Sequence, residues 1–141
     1  MKKERFKFLV AVYLILVRDG KILLLKRFNT GYEDGNYSLV AGHVDEGESF
    51  REAIAREAKE EAGIEIGLED VELAHVMQRV SLGRISFFLT AEKWKGEIKN
   101  MESEKCDDLS WFNVDDLPAN TIPYIKKAIE NYRENIIFSE E

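Results

Sequence analysis

With a single cysteine, Cys106, this chain of 141 residues can form no internal disulfide, which suits a reducing cytosol. Only two histidines are present, His43 and His75, and they lie far apart in the sequence. With one cysteine they make a poor basis for a zinc site. Positive charge is in deficit: the net charge is −7 and the pI is near 5.0. Such a field repels nucleic acid and anionic membrane surfaces, so a phosphate-bearing ligand would need local cations, either Lys and Arg or bound metal. Long apolar runs are also missing. The basic start MKKER followed by an apolar stretch has the look of a secretory leader, yet no small-residue cleavage site follows. Phe6 to Val17 is too short to span a bilayer. These absences lead us to expect a cytoplasmic protein with a small-molecule partner, no membrane and no long nucleic acid; a homodimer is left open.

No repeat, low-complexity tract or linker divides the chain, and its length suits one core, so residues 1–141 read as one domain. Strands are expected near 6–17 and 21–27, joined by a tight turn at Asp19-Gly20. The loop FNTGYEDGN (28–36) leads to a short strand, YSLVA. A strand pair follows at 71–80 and 84–94, turned by SerLeuGly, then a charged stretch (95–108) and a short LSWF strand. In the tail, Ile122, Ile125, Ala128, Ile129, Tyr132 and Ile136 recur at helical spacing, with Pro123 in the permitted first turn. Strands and helices mix without regular alternation, which predicts an α/β fold with a mixed sheet and helices packed on its faces.

The most informative stretch is GHVDEGESFREAIAREAKEEAGI, residues 42–64. Ser49 with Glu52 forms a capping box, and Gly63 before Ile64 fits a glycine C-cap, so a helix is expected between them. On it Glu57, Glu60 and Glu61 stand at i, i+3 and i+4 and leave on one face. Clustered carboxylates repel. A hard divalent cation reverses the sign of that interaction, because carboxylate oxygens are what Mg²⁺ prefers. The plain alternative is a solvated acidic face balanced by Arg51, Arg56 and Lys59.

Spacing favours the cation. Gly42, Glu48, Arg56, Glu57, Ala58, Glu60, Glu61, Gly63 and Ile64 match G-x5-E-x7-R-E-U-x-E-E-x-G-U, with U aliphatic. Seven fixed letters at background frequency coincide about once in 10⁸ starting points. The chain therefore resembles the Nudix hydrolases of the MutT-like kind. An apolar strand ending in LeuLysArg, a short strand into Gly42 and a later LSWFNVDDLP extend the likeness over most of the chain. Val40-Ala41 stands where Pro-Gly is often found, and Ala58 is the smallest aliphatic the pattern accepts; neither removes a metal ligand.

The resemblance implies the Nudix fold, a mixed sheet sandwiched between helices (α/β/α) with a catalytic loop-helix-loop. It also implies a pyrophosphohydrolase that splits a nucleoside diphosphate from another moiety with water and metal. Glu57, Glu60 and Glu61, with the Gly42 carbonyl, would hold Mg²⁺ or Mn²⁺. Arg56 would orient the carboxylates, with Glu48 as its charge partner. Likeness to related chains nominates a loop glutamate, Glu102 or Glu104, as general base, with Glu60 or Glu57 next in order.

Arg27 and Arg79 are candidates to meet phosphate. Tyr32, Tyr37, Phe87 and Phe88 could stack on a base, although strand aromatics are usually core. His43 and His75 receive no role, and Cys106 reads as a structural thiol. Candidate substrates are a nucleoside triphosphate, including an oxidised one, a nucleotide sugar and ADP-ribose. A small nucleotide is favoured over capped RNA by the net charge. Two other readings stand beside the hydrolase: a regulatory nucleotide-binding module on the same fold, and a prenyl diphosphate isomerase. The intact Arg56, Glu57, Glu60 and Glu61 oppose the first, and the lack of a convincing second catalytic cysteine opposes the second.

Overall fold

In the computed structural model, which describes residues 3–141, the chain forms two β-sheets and two α-helices. The strands are β1 (Leu9–Ile15), β2 (Val17–Arg18), β3 (Lys21–Arg27), β4 (Tyr37–Ser38), β5 (Val40–His43), β6 (Glu72–Arg79), β7 (Arg84–Thr90), β8 (Cys106–Asn113) and β9 (Phe138–Glu140). Helix α1 is Phe50–Ala62 and α2 is Pro123–Arg133. The first sheet is mixed, in the order β5-β1-β7-β6-β9, with β1–β7 and β6–β9 parallel. In the second, antiparallel sheet β3 pairs with β2, β4 and β8.

Two clusters of buried side chains explain the unbroken apolar runs of β1 and β3. Val12, Leu14, Leu23 and Leu25 pack with Ala53, Ile54, Ala58 and Ala62 of α1. The alternate residues Tyr13, Ile15, Ile22 and Leu24 pack with Tyr124, Ile125, Ala128 and Ile129 of α2. Strands covered on both faces have no need of polar alternation. One helix thus covers each face, giving the expected α/β/α arrangement.

Boundaries differ from the sequence reading at several places. YSLVA divides at Leu39 into β4 and β5, which belong to different sheets, and the strand expected over 84–94 ends at Thr90. The first expected strand, 6–17, breaks at Leu16, because β1 belongs to one sheet and β2 to the other. The tight turn after β2 is present, with Asp19 and Gly20 both at positive φ (54° and 74°), as a two-residue hairpin of this hand requires. The last helix stops at Arg133, so Ile136 lies beyond it despite its helical spacing. Asn135 turns left-handed (φ 59°) and the Ile136 N–H caps the Asn131 carbonyl, after which the chain pairs with β6 as β9. Finally, β8 begins at Cys106, earlier than the LSWF segment, because its ladder with β3 extends back to Arg27.

Candidate active site

Helix α1 begins as its sequence requires. Ser49 accepts from the Glu52 N–H, Glu52 returns the bond to the Ser49 N–H, and Gly63 closes the far end at φ 71°. The buried residues of its inner face are mostly alanine, and Ala58 is fully buried, so the helix lies close against the sheet. That closeness brings Glu57 onto β5. A Cβ built at Gly42 would run into the Glu57 carboxylate, so any side chain there would have to displace it.

Arg56 is held by a fork of acceptors. Its Nε donates to Glu48 Oε2 at 2.7 Å and its Nη2 to Glu48 Oε1 at 3.0 Å, while Nη1 reaches Glu57 Oε1 at 2.7 Å. Nη2 also donates to the His43 carbonyl, and Nη1 lies 3.4 Å from Glu60. The arginine keeps the Glu48 carboxyl well below its usual range, at about 2, and its own pKa is raised in return, chiefly by Glu48.

A cavity of about 290 Å³ opens along this face, lined by Glu57, Glu60, Glu61 and Glu102 and by the cations Arg27 and Lys105. Burial pushes Glu57 up despite Arg56, and pushes Glu61 up to about 9, with the neighbouring Glu57 charge adding to it. Glu61 accepts from the Ala41 N–H at 3.1 Å, and no ion-pair partner reaches it among the described residues. Glu60 is half-exposed. Among the described residues no three carboxylate, imidazole or thiol groups form a preformed metal cage. Arg56 donates to an oxygen of Glu57, and the Ala41 N–H donates to one of Glu61. The donors are nevertheless of the hard type that suits Mg²⁺ or Mn²⁺, and their mutual repulsion is what a cation would relieve.

The remaining candidates separate clearly. Glu102 lines the cavity with Lys105 3.9 Å away, whereas Glu104 is exposed and lines no part of it. Arg27 also lines it, braced by the Tyr32 carbonyl (2.6 Å) and the Thr30 hydroxyl (3.0 Å). Asp34 holds that loop by accepting from Thr30 and Gly31. Tyr37 lines neither this cavity nor the adjoining one; it donates to Asp108 at 2.5 Å and packs on Phe112, and burial lifts its phenol to about 12. Arg79 is buried against the Tyr124 ring. Phe88 is core, stacked on Tyr13, and Phe87 packs on Phe50. His75 is buried between the Ile136 carbonyl and Ser139, and the Cys106 thiol is buried.

A second cavity, of about 500 Å³, adjoins the first and shares Arg27 and Ala41 with it. Sequence reasoning missed three of its walls, Tyr13, Arg84 and Tyr124. Only the Arg79–Arg84 spacing about a short turn hinted at them.

A family model described as the NUDIX domain matches residues 7–132. NAD-capped RNA hydrolase NudC of Chromobacterium violaceum is 33% identical over 110 residues, covering 78% of this chain and 40% of that protein. The chain thus spans well under half the length of the NudC relatives it matches. CTP pyrophosphohydrolase of Escherichia coli is 39% identical over 79 residues, covering 56% of this chain and 57% of its own. Among solved structures, a MutT NUDIX hydrolase from Burkholderia pseudomallei superposes with a TM-score of 0.79 at 30% identity, covering 88% of this chain and 97% of that one. The spacing that runs from Gly42 to Ile64, the fold that carries it and these likenesses agree: the chain belongs to the Nudix family.

Proposed function

We propose that the protein is a metal-dependent pyrophosphohydrolase that cleaves the diphosphate linkage of a small nucleotide, a nucleoside triphosphate or a related derivative. One observation carries this reading. Glu57 and Glu61 are pressed together in a cavity with Glu60 and Glu102, and burial raises the carboxyls of both, with the Glu60 charge adding at Glu57 and the Glu57 charge at Glu61. Groups perturbed in this way, in a cleft, are where function concentrates. Nudix proteins generally use divalent metal. Here Glu57, Glu60 and Glu61, with the Gly42 carbonyl, would hold Mg²⁺ or Mn²⁺. Such a cation lowers the pKa of water and neutralises phosphate charge.

The chain's own groups supply the rest. Arg56, clamped by Glu48, fixes the Glu57 carboxylate. Arg27, steadied by its loop, meets a phosphate oxygen at the cavity wall. Glu102 takes the proton from the attacking water, with the Lys105 ammonium 3.9 Å from its carboxylate. Glu104 has no such position. The net charge of −7 supports a small nucleotide over a long polyanion.

The test is a product assay over nucleoside triphosphates, nucleotide sugars and ADP-ribose with Mg²⁺ and Mn²⁺. Nucleoside monophosphate with pyrophosphate or a second phosphorylated product is expected from at least one substrate, and Glu61→Gln should abolish it. Turnover unaffected by chelator, or no turnover of any diphosphate, would sink the reading.

A further inference from the structure

Arg27 ends β3 and lies where the two cavities meet, since it lines both. Two of its three guanidinium nitrogens are already engaged. Nε donates to the Tyr32 carbonyl at 2.6 Å and Nη2 to the Thr30 hydroxyl at 3.0 Å. The guanidinium carbon also lies 5.2 Å from the centre of the Tyr32 ring. Nη1 has no hydrogen-bond partner among the described residues. A planar fork held at two corners keeps its third in one place. A long side chain held in this way has already lost the rotamer freedom that binding would otherwise cost.

The Thr30 hydroxyl is itself oriented. It carries one proton and two lone pairs. Its shortest contact is with Asp34 Oδ1, at 2.6 Å. A carboxylate is a stronger acceptor than the Tyr32 carbonyl, which stands 3.0 Å away, so the proton turns to Asp34. The lone pairs are then left to accept from Arg27 Nη2 and from the Tyr32 N–H at 3.2 Å. Asp34 Oδ2 accepts from the N–H groups of Gly31 (2.9 Å) and Thr30 (3.1 Å). Asn29 and Glu33 both take positive φ (55° and 52°), which such residues hold only where their surroundings impose it. The loop is thus built to one shape. It is also tied to the rest of the site, because the Phe28 N–H donates to the Lys105 carbonyl at 3.0 Å, in the turn that carries Glu102.

We propose that Asp34 and Thr30 are positioning residues for phosphate: Asp34 orients the Thr30 hydroxyl, Thr30 holds Arg27, and the free corner of Arg27 meets the substrate. The inference rests on the nucleotide-hydrolase reading above and carries it to a residue outside the site. Asp34 lines neither cavity, so it acts only through its neighbours. The Thr30 hydroxyl, above all, keeps the Asp34 carboxyl below its ordinary range, so the charge that orients the hydroxyl is present at neutral pH. A guanidinium suits phosphate because its donors lie in one plane at fixed spacing. That advantage is lost if the side chain must be ordered anew at each encounter.

Two measurements on the full chain in Mg²⁺ test this. The first is calorimetric binding of inorganic pyrophosphate, which needs no turnover of a nucleotide. The second is kcat and KM for ATP, GTP, CTP, UTP and ADP-ribose. Thr30→Val keeps the shape of threonine without its hydroxyl. It should weaken pyrophosphate about tenfold and raise KM by a similar factor, with kcat within about threefold of the parent. Asp34→Ala should do the same from outside both cavities. Thr30→Ser, which restores the hydroxyl, should recover most of the loss. Arg27→Ala should cost at least as much as Thr30→Val. Thr30→Val added to Arg27→Ala should cost less than about twofold more, because the bond it breaks is already gone. An equal cost of Thr30→Val with and without Arg27 overturns the inference, as does unchanged pyrophosphate affinity in Thr30→Val, Asp34→Ala or Arg27→Ala. A joint fall in kcat and melting temperature with KM unchanged also overturns it, since the loop would then be a structural clasp. Hydrolysis of none of the five nucleotides would count against the hydrolase reading instead, and the pyrophosphate affinities alone would then uphold or overturn the positioning role.

Discussion

Arg56 grips Glu48 with two arms of its fork, at 2.7 and 3.0 Å, and turns its third nitrogen to Glu57. The pair joins the loop before α1 to the carboxylate that lies on Gly42. Arg56→Ala should therefore lower kcat by about 10² or more through misplacement of Glu57. Thermal stability should change much less, since the arginine is partly exposed. Arg56→Lys keeps the charge without the bidentate geometry and should recover little. Unfolding of Arg56→Ala, with normal metal response in whatever remains folded, would reduce Arg56 to a surface ion pair. The same pair sets an acid limit. Glu48 has its carboxyl lowered to about 2, so its contribution is present above the ordinary value of 4.5 and is lost as pH falls toward 2. Glu48→Gln should flatten the acid limb of a stability–pH curve over that window.

Glu61 has the opposite sign. Its pKa is raised to about 9, so the folded, metal-free protein retains a proton that the unfolded chain releases near 4.5. Folding stability without metal should be full below that value and decline as pH rises toward 9. The proton belongs to the Glu57–Glu61 pair as a unit. Urea midpoints in chelator from pH 5 to 9 should show the decline, and Glu61→Gln should remove it while raising the metal-free melting temperature at pH 8. Millimolar Mg²⁺ or Mn²⁺ should raise the melting temperature of the parent protein by mass action but hardly that of Glu61→Gln or Glu60→Gln. A flat parent curve, or equal metal response in all three, would remove the metal site from this helix.

Gly42 allows a sharper structural test. A methyl group there meets the Glu57 carboxylate, and the strand around it is paired with β1 and cannot retreat easily. Gly42→Ala should cost about 1–3 kcal/mol and reduce the metal-induced rise in melting temperature. Adding Glu57→Ala to the same chain removes the clash and should restore stability, though not activity. If the double variant is no more stable than Gly42→Ala alone, the glycine is needed for some other reason.

Local chemistry was legible in the sequence, and long-range assembly was not. The α1 caps at Ser49 and Gly63, the Asp19-Gly20 turn and the acidic face are all set by residues within a few positions of one another, and each is found as expected. Tyr37 was different: nothing near it in the chain announces its bond to Asp108, 71 residues away. Arg84 and Tyr124 become neighbours of the carboxylate site only when β7 pairs with β1 and α2 closes over that face. The short β9 escaped for a similar reason, since Ile136 continues the helical spacing and only Asn135 marks the stop. Pattern reads the period of a segment, whereas register between distant strands depends on the whole core.

The last prediction separates two glutamates that the sequence offered equally. Glu102 lines the carboxylate cavity and Glu104, two residues on, is exposed outside it. The difference comes from the turn before β8. There the Glu102 carbonyl accepts from the N–H groups of Lys105 and Cys106, and the Glu102 N–H donates to the Asn100 side chain. The turn faces Glu102 toward Glu61, whose pKa it helps to raise. A general base must lie within reach of the proton it removes. Glu102→Gln should therefore lower kcat by about 10²–10⁴ with the fold and most of the metal response retained, and the loss should persist at every pH. Glu104→Gln should stay within about twofold of the parent. Near-normal turnover in Glu102→Gln would return the base to the helix, with Glu60 or Glu57 next. Asn100→Ala should loosen the turn and give an intermediate loss in kcat with little change in KM. A fall confined to KM would mean that the loop binds substrate and does not position the base.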